Sequence, residues 1–179
     1  ILCAGMKMFA QEMDKAKQIK VIGRHGVGLD IVDVAEASKR NIPVVFTPYG
    51  PTESTAEHAF ALMMATARKI VFLDREVRSG NFHIRDQVVG LELFKGNLGI
   101  VGFGHIGQRL AEMCINALSM KVYVYDPFVS KGEVRALGGE KCDSLNELMM
   151  KADIVSLHIP STESTHGLID EEALAALGQ

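Results

Sequence analysis

At 179 residues, with 47% apolar and 23% charged side chains, the chain can bury a core and is too hydrophobic to stay disordered. Nineteen basic residues against 22 acidic ones leave a net charge of −3, and no basic block could neutralise a run of phosphates, which argues against nucleic acid as a partner. Cys3, Cys114 and Cys142 lack the close spacing of a zinc site or a disulfide framework, and no run approaches the roughly 18 apolar residues of a membrane span, so the expectation is a cytoplasmic chain without metal or membrane.

The chain opens on Ile1 with no signal-peptide pattern and stops at Ala175–Gln179, which resembles the end of a helix; both ends read as cut. Lys20–Gly23 and Ile42–Phe46 are short apolar runs, and Ile31, Val34, Ala35 and Ala37 between them fall at helical spacing, which predicts strand, loop, helix, strand. Ser54 and Glu57 have the spacing of a capping box, predicting a helix start at that serine. The helix body, Ala59–Ala67 (AFALMMATA), is apolar almost all round and calls for cover by a second domain or a second subunit, unless it is an ordinary methionine-rich core. Arg68–Phe94 is polar and reads as an arm or linker without a period.

Leu98–Val101 then reads as a strand, and Ile106, Leu110, Met113, Cys114, Ala117 and Leu118 as one face of a helix. Lys121–Tyr125 (KVYVY) is a second strand ending at Asp126. A helical stretch closed by Gly138 and Gly139 follows, then a helix capped by a Ser144 and Glu147 box, then a strand at Ile154–Leu157. No repeat or low-complexity segment is present.

Between the strand at Leu98 and the helix after it stand Gly102, Gly104 and Gly107, a G-x-G-x-x-G string. Alone such a string is weak, because glycine turns join strands to helices in many folds. Here Asp126 answers it 19 residues after Gly107, at the tip of the next strand. That is the dinucleotide fingerprint: the glycines allow a tight turn and close approach to a pyrophosphate, the helix N-terminus favours its charge, and the acid receives the adenosine ribose. A carboxylate at that tip would repel a 2′-phosphate, so NAD is expected over NADP.

The segments KVIGRHGVGLD, TPYGPTESTAEH, LGIVGFGHIGQ, YDP and DIVSLHIPSTESTHGLID, in this order and register, resemble the D-isomer-specific 2-hydroxyacid dehydrogenases, particularly phosphoglycerate dehydrogenase-like members. The resemblance covers essentially the whole chain. It implies an α/β fold: a Rossmann-like doubly wound parallel sheet, here 52–179, inserted into a flavodoxin-like substrate domain of which 1–51 is a part. It also implies a homodimer built largely on the nucleotide domains, and a small 2-hydroxy or 2-keto acid as substrate.

Carried over position by position, Thr47, Gly102, Gly104, His105, Ile106, Gly107, Asp126, Ile159 and Pro160 resemble the family's cofactor contacts. Arg24, Gly26, Val27 and Gly28 resemble the loop that faces the nicotinamide and the substrate's anionic group. Ile31 after Asp30, His25 and Tyr49 depart from the family's usual residues and bear on which substrate is taken. The family's catalytic arginine, glutamate and histidine match no residue here, so no catalytic residue is assigned; His25-Gly26-Val27-Gly28 imitates the family's catalytic H-x-x-G in the wrong segment. The competing readings are a dinucleotide-sensing, dimerising interaction module of the corepressor kind on the same fold, and an inactive fragment.

Overall fold

The computed structural model describes residues 1–178, so the Gln179 end of the expected terminal helix and of the 52–179 segment lies outside the described residues. The chain forms two compact units: Ile1–Thr52 with Pro160–Glu163, and Glu53–Ile159 with the residues from Ser164 onward.

The first unit holds β1 (Leu2–Cys3), α1 (Ala10–Lys15), β2 (Ile22–Arg24), α2 (Val34–Lys39) and β3 (Val44–Phe46). Its three strands are parallel in the order β1-β2-β3, in the register Ile22 to Val44 and Arg24 to Phe46. The expected strand at Lys20 begins two residues later, because Ile22 is the residue that enters the core of Cys3, Met8, Met13, Val32 and Ala37 while Val21 stays exposed. Asp33 starts α2: its carboxylate accepts from the Glu36 backbone N–H at 2.8 Å.

The second unit begins with most of α3 (Thr52–Ala67), followed by α4 (Ile70–Arg78) and a 3₁₀ turn at Phe82–Asp86. The helix does not start at Ser54, which lies inside it; the Thr52 N–H donates to the Tyr49 carbonyl and opens the first turn there. The stretch after Arg68 is not a structureless arm, since Ile70–Arg78 is helical. Ile70, Leu73 and Val77 do recur at helical spacing, but Val71 and Phe72 stand between them and blur the stripe, and none of these residues is buried.

Then come β4 (Asn97–Val101), α5 (His105–Leu118), β5 (Lys121–Tyr125), α6 (Lys131–Ala136), β6 (Glu140–Lys141), α7 (Leu145–Lys151), β7 (Ile154–Leu157) and α8 (Glu171–Ala176). The sheet is parallel throughout, ordered β6-β5-β4-β7. β4, β5 and β7 are mostly apolar because both faces of the sheet are covered, whereas β6, at one edge, is Glu140–Lys141. Leu98, Ile100, Val122 and Val124 pack with Met63, Leu110, Cys114 and Val134. Val101 packs on the other side with Leu148, Met149 and Ala173.

Two local expectations are corrected. In α5 the buried face is Gly107, Leu110, Ala111 and Cys114, while Ala117 is exposed. Ser144 does cap α7, accepting from the Glu147 N–H at 3.1 Å, but Glu147 closes onto the Asp143 N–H instead of the serine's, so the box is only half made. The reciprocal box is at α6, between Ser130 and Glu133.

Candidate functional site

The chain runs outward from β4 to β5 and β6, then returns to the other flank of β4 as β7. The C-terminal ends of β4 and β7 are therefore a topological switch point, where an open α/β sheet leaves a crevice for ligands. Gly102, Gly104 and Gly107 sit there.

Gly102 leaves β4 with φ at +91°, a left-handed conformation, and a Cβ on it would stand 2.6 Å from the His158 carbonyl oxygen. Its N–H donates to the Tyr125 carbonyl at 3.0 Å, which continues the β4–β5 ladder into the turn. A Cβ on Gly107 would collide with the Gly102 carbonyl oxygen, so α5 leans directly on the turn it follows. Gly104 differs: it is the N-cap of α5, in extended backbone, and nothing lies within 4 Å of where its Cβ would be. No side chain caps this helix, whose first residues are His105 and Ile106. An open backbone followed by the positive end of a 14-residue helix is a receptacle for an anionic group.

Asp126 follows β5. Its Oδ2 accepts from the Phe103 N–H at 2.7 Å and its Oδ1 from the Phe128 N–H at 2.8 Å. The carboxylate thus fastens the middle of the glycine turn on one side and its own loop on the other, and each oxygen keeps a second lone pair.

After β7, the His158 N–H donates to the Val101 carbonyl at 2.8 Å, and its ring Nε2 lies 2.9 Å from Ser156 Oγ. Burial pushes this imidazole's pKa down, so it stays neutral where an exposed histidine would begin to charge. Ile159 lays its Cγ2 against Gly102. Pro160 belongs to the short segment grouped with the first unit.

Within the first unit, Arg24 is turned onto its own loop. Its Nε donates to the Gly28 carbonyl at 2.8 Å, and its Nη1 to the carbonyls of Ala4 and His25. A Cβ on Gly26 would stand 3.2 Å from this guanidinium, and Gly26 has φ at +132°. Thr47 binds the same loop twice: its Oγ1 accepts from the Gly26 N–H at 2.9 Å and its N–H donates to the Gly26 carbonyl. Val27, Gly28 and His25 are exposed. The loop is therefore held by its own arginine through Nε and Nη1, a role that sequence pattern does not reveal.

Sequence reasoning also missed the two backbone tethers made by Asp126. The aspartate was legible; that Phe103 and Phe128 would donate to it depends on how two strand ends meet. Among the described residues no group of three or more potential metal ligands comes together, and no helix is long and apolar enough to cross a membrane.

Residues 60–179 match the NAD binding domain of the D-isomer specific 2-hydroxyacid dehydrogenases. The chain is 44% identical over 163 residues to the D-3-phosphoglycerate dehydrogenase of Archaeoglobus fulgidus, covering 91% of this chain and 30% of that one. It is 40% identical over 177 residues to the enzyme of the same name from Synechocystis sp., covering 99% of this chain and 31% of that one. Among solved structures, the D-lactate dehydrogenase of Aquifex aeolicus, complexed with NAD and lactic acid, superposes with a TM-score of 0.82 at 33% identity, over 96% of this chain and 50% of that one. The chain spans about a third of the length of the curated relatives it matches.

Proposed function

The chain belongs to the D-isomer specific 2-hydroxyacid dehydrogenases, and from that premise we propose that the protein it forms part of is an NAD-dependent enzyme. It moves hydride between the nicotinamide and the C2 carbon of a D-2-hydroxy acid resembling 3-phosphoglycerate. The observation that carries the reading is the switch-point turn, with Gly104 open, α5 uncapped behind it and Asp126 beside it. The dinucleotide brings the hydride chemistry when bound; the protein's part is to bind, orient and hold charge.

In this reading 1–51 is part of a substrate domain and 52–179 part of the NAD domain. The pyrophosphate lies over Gly102, Gly104 and the start of α5 at His105 and Ile106, with Gly107 letting the helix approach. Asp126 receives the adenosine ribose and Ile159 flanks the dinucleotide, while Thr47 and Pro160 are cofactor contacts that the family resemblance implies. The loop of Arg24, Gly26, Val27 and Gly28 faces the substrate's anionic group. Arg24 contributes by shaping that loop through Nε and Nη1.

The protein is a homodimer and acts in the cytoplasm. Support for the dimer comes from apolar surface: Ile70, Val71, Phe72 and Val77 of α4 are 45–69% exposed, and Leu62 of α3 is 55% exposed. Exposed apolar side chains on these helices are candidates for cover by a second copy. Support for a reducing compartment comes from three buried, unpaired cysteines.

The test is a steady-state assay of the full-length protein with NADH and a panel of 2-keto acids, phosphohydroxypyruvate, glyoxylate and pyruvate. NADH oxidation fastest with the phosphorylated acid supports the reading; no oxidation with any of them contradicts it.

A further inference from the structure

A hollow of about 740 Å³ lies on the outer flank of the second unit's sheet, along the edge strand β6. That volume is within the range of small-molecule sites. Its apolar lining comes from β5, through the buried Met120 and Val122 and the half-buried Tyr123. Gly102, Gly104 and Asp126 take no part in the lining, so the hollow is separate from the crevice at the switch point.

The charges around the hollow do not balance. Asp143 pairs with Lys131 at 2.9 Å, and Glu140 and Glu147 each reach Lys151 at 2.8 Å, so every carboxylate in the lining is already matched. Lys121, at the start of β5, and Arg135, on α6, are left over: neither side chain makes a hydrogen bond or ion pair among the described residues. Lys141 donates to the Val129 carbonyl and has no carboxylate partner either. A single exposed cation is an ordinary solvated side chain. Two unmatched cations on separate elements, lining one hollow, offer an anion charge-assisted bonds that the protein itself does not supply. A guanidinium presents a planar fork to two phosphate oxygens, and an ammonium adds a point charge. We propose that this hollow binds a small phosphate monoester, held between Arg135 and Lys121. The site stands whether or not the glycine turn takes a dinucleotide.

The test reads the site itself: acetylation of Lys121 by an amine-reactive ester, followed by mass spectrometry of the full-length protein as glycerol 3-phosphate is titrated in. The expected result is protection of Lys121, with the exposed Lys17 of the first unit unaffected. Arg135→Ala is expected to raise the half-protecting concentration by about tenfold. Arg135→Lys, which keeps the charge and loses the fork, falls between. Because Arg135 is in solvent, both variants keep the wild-type thermal midpoint, and both keep NADH affinity. Succinate, a dicarboxylate, protects less than the phosphate ester. Lys121 acetylated equally fast with and without the ester overturns the proposal, as does protection that survives Arg135→Ala unchanged. Equal protection by succinate would overturn the assignment to phosphate, and loss of NADH binding in Arg135→Ala would overturn the separation of the two sites.

Discussion

The backbone N–H of Phe103 donates to Asp126 Oδ2 across 2.7 Å, so the acid at the end of β5 holds the glycine turn after β4. In the proposed reading Asp126 has two jobs, organising the turn and meeting the ribose. Asp126→Ala removes both tethers and the charge, and is expected to weaken NADH by at least about tenfold, since hydrogen bonds to charged groups contribute about 1.5–3 kcal/mol each. NADPH loses less, because the repulsion of its 2′-phosphate disappears as well. Asp126→Asn, which keeps one good acceptor, falls between. Fluorescence titration with both cofactors checks this; equal affinities in the unmodified protein would contradict the expected NAD preference.

The three glycines of the turn are not equivalent. Gly102→Ala places a Cβ 2.6 Å from the His158 carbonyl oxygen on a backbone with φ at +91°, and is expected to cost roughly 1–3 kcal/mol of stability. Gly104→Ala meets nothing within 4 Å, so its stability cost stays within about 1 kcal/mol, that of an alanine at an N-cap. In the proposed reading its methyl stands where the phosphates approach, so NADH affinity is expected to drop. Thermal melts beside cofactor titrations separate the two effects; a Gly104→Ala protein that binds NADH normally would put the pyrophosphate elsewhere.

Association is expected to depend on α4. Val71 is 69% exposed, and Val71→Asp introduces a charge into the face through which two copies would meet. Sedimentation should show a dimer for the unmodified protein and a shift to monomer for the variant, with helical content unchanged. A monomeric wild type at micromolar concentration would remove the case for this interface.

The thiols make stability fall in alkali. Burial pushes the Cys114 thiol up to about 12, and burial together with the neighbouring Glu147 charge pushes Cys142 up to about 11. In the unfolded chain such thiols ionise near about 8.5. Above that pH the unfolded state has released protons the folded state keeps, so each thiol lowers the unfolding free energy by at most about 1.4 kcal/mol per pH unit until its folded pKa is reached. Denaturant melts from pH 8 to 10 should show this slope flattened in Cys114→Ser. Rapid alkylation of Cys114 in the native protein at pH 8 would show that it is not buried as described.

The loop arginine is expected to act through shape. Arg24→Lys keeps a charge but not the fork that reaches Gly28, Ala4 and His25 at once, and should loosen the loop. In the full-length protein it is expected to raise KM for the keto acid severalfold while leaving NADH affinity unchanged. By contrast His25→Ala, which removes an exposed side chain, should leave turnover within about threefold. Loss of turnover in His25→Ala would make that histidine the catalyst.

Much was legible from order and spacing. Lys121–Tyr125 and Ile154–Leu157 form the strands their apolar runs predict, because strands covered on both faces must be apolar throughout. The glycine string and Asp126 were legible for a related reason: a turn that a Cβ would obstruct leaves its mark as glycine, and a charge at a strand tip leaves its mark as an acid. The family resemblance rests on these same residues.

Contacts between distant segments left no such mark. Which oxygen of Asp126 receives Phe103, and that Phe128 hangs from the other, follows from the parallel pairing that brings Val101 beside Tyr125. The helix at Ile70–Arg78 was hidden because Val71 and Phe72 blur the stripe of Ile70, Leu73 and Val77, and none of these residues is drawn into the core. Ser54 looked like a cap because capping boxes are recognised by local spacing, yet the chain had already turned helical at Thr52 through the Tyr49 carbonyl. The resemblance set the Arg24 loop toward an anionic group, and only the fold shows the guanidinium closed onto its own loop. Sequence by itself determined the α/β class, the sheet strands and the identity of the turn, since periodicity and glycine are local consequences of burial and backbone conformation. Tertiary structure alone decided which polar groups satisfy one another, because a hydrogen bond between residues 23 positions apart, as between Phe103 and Asp126, depends on how the whole sheet is ordered.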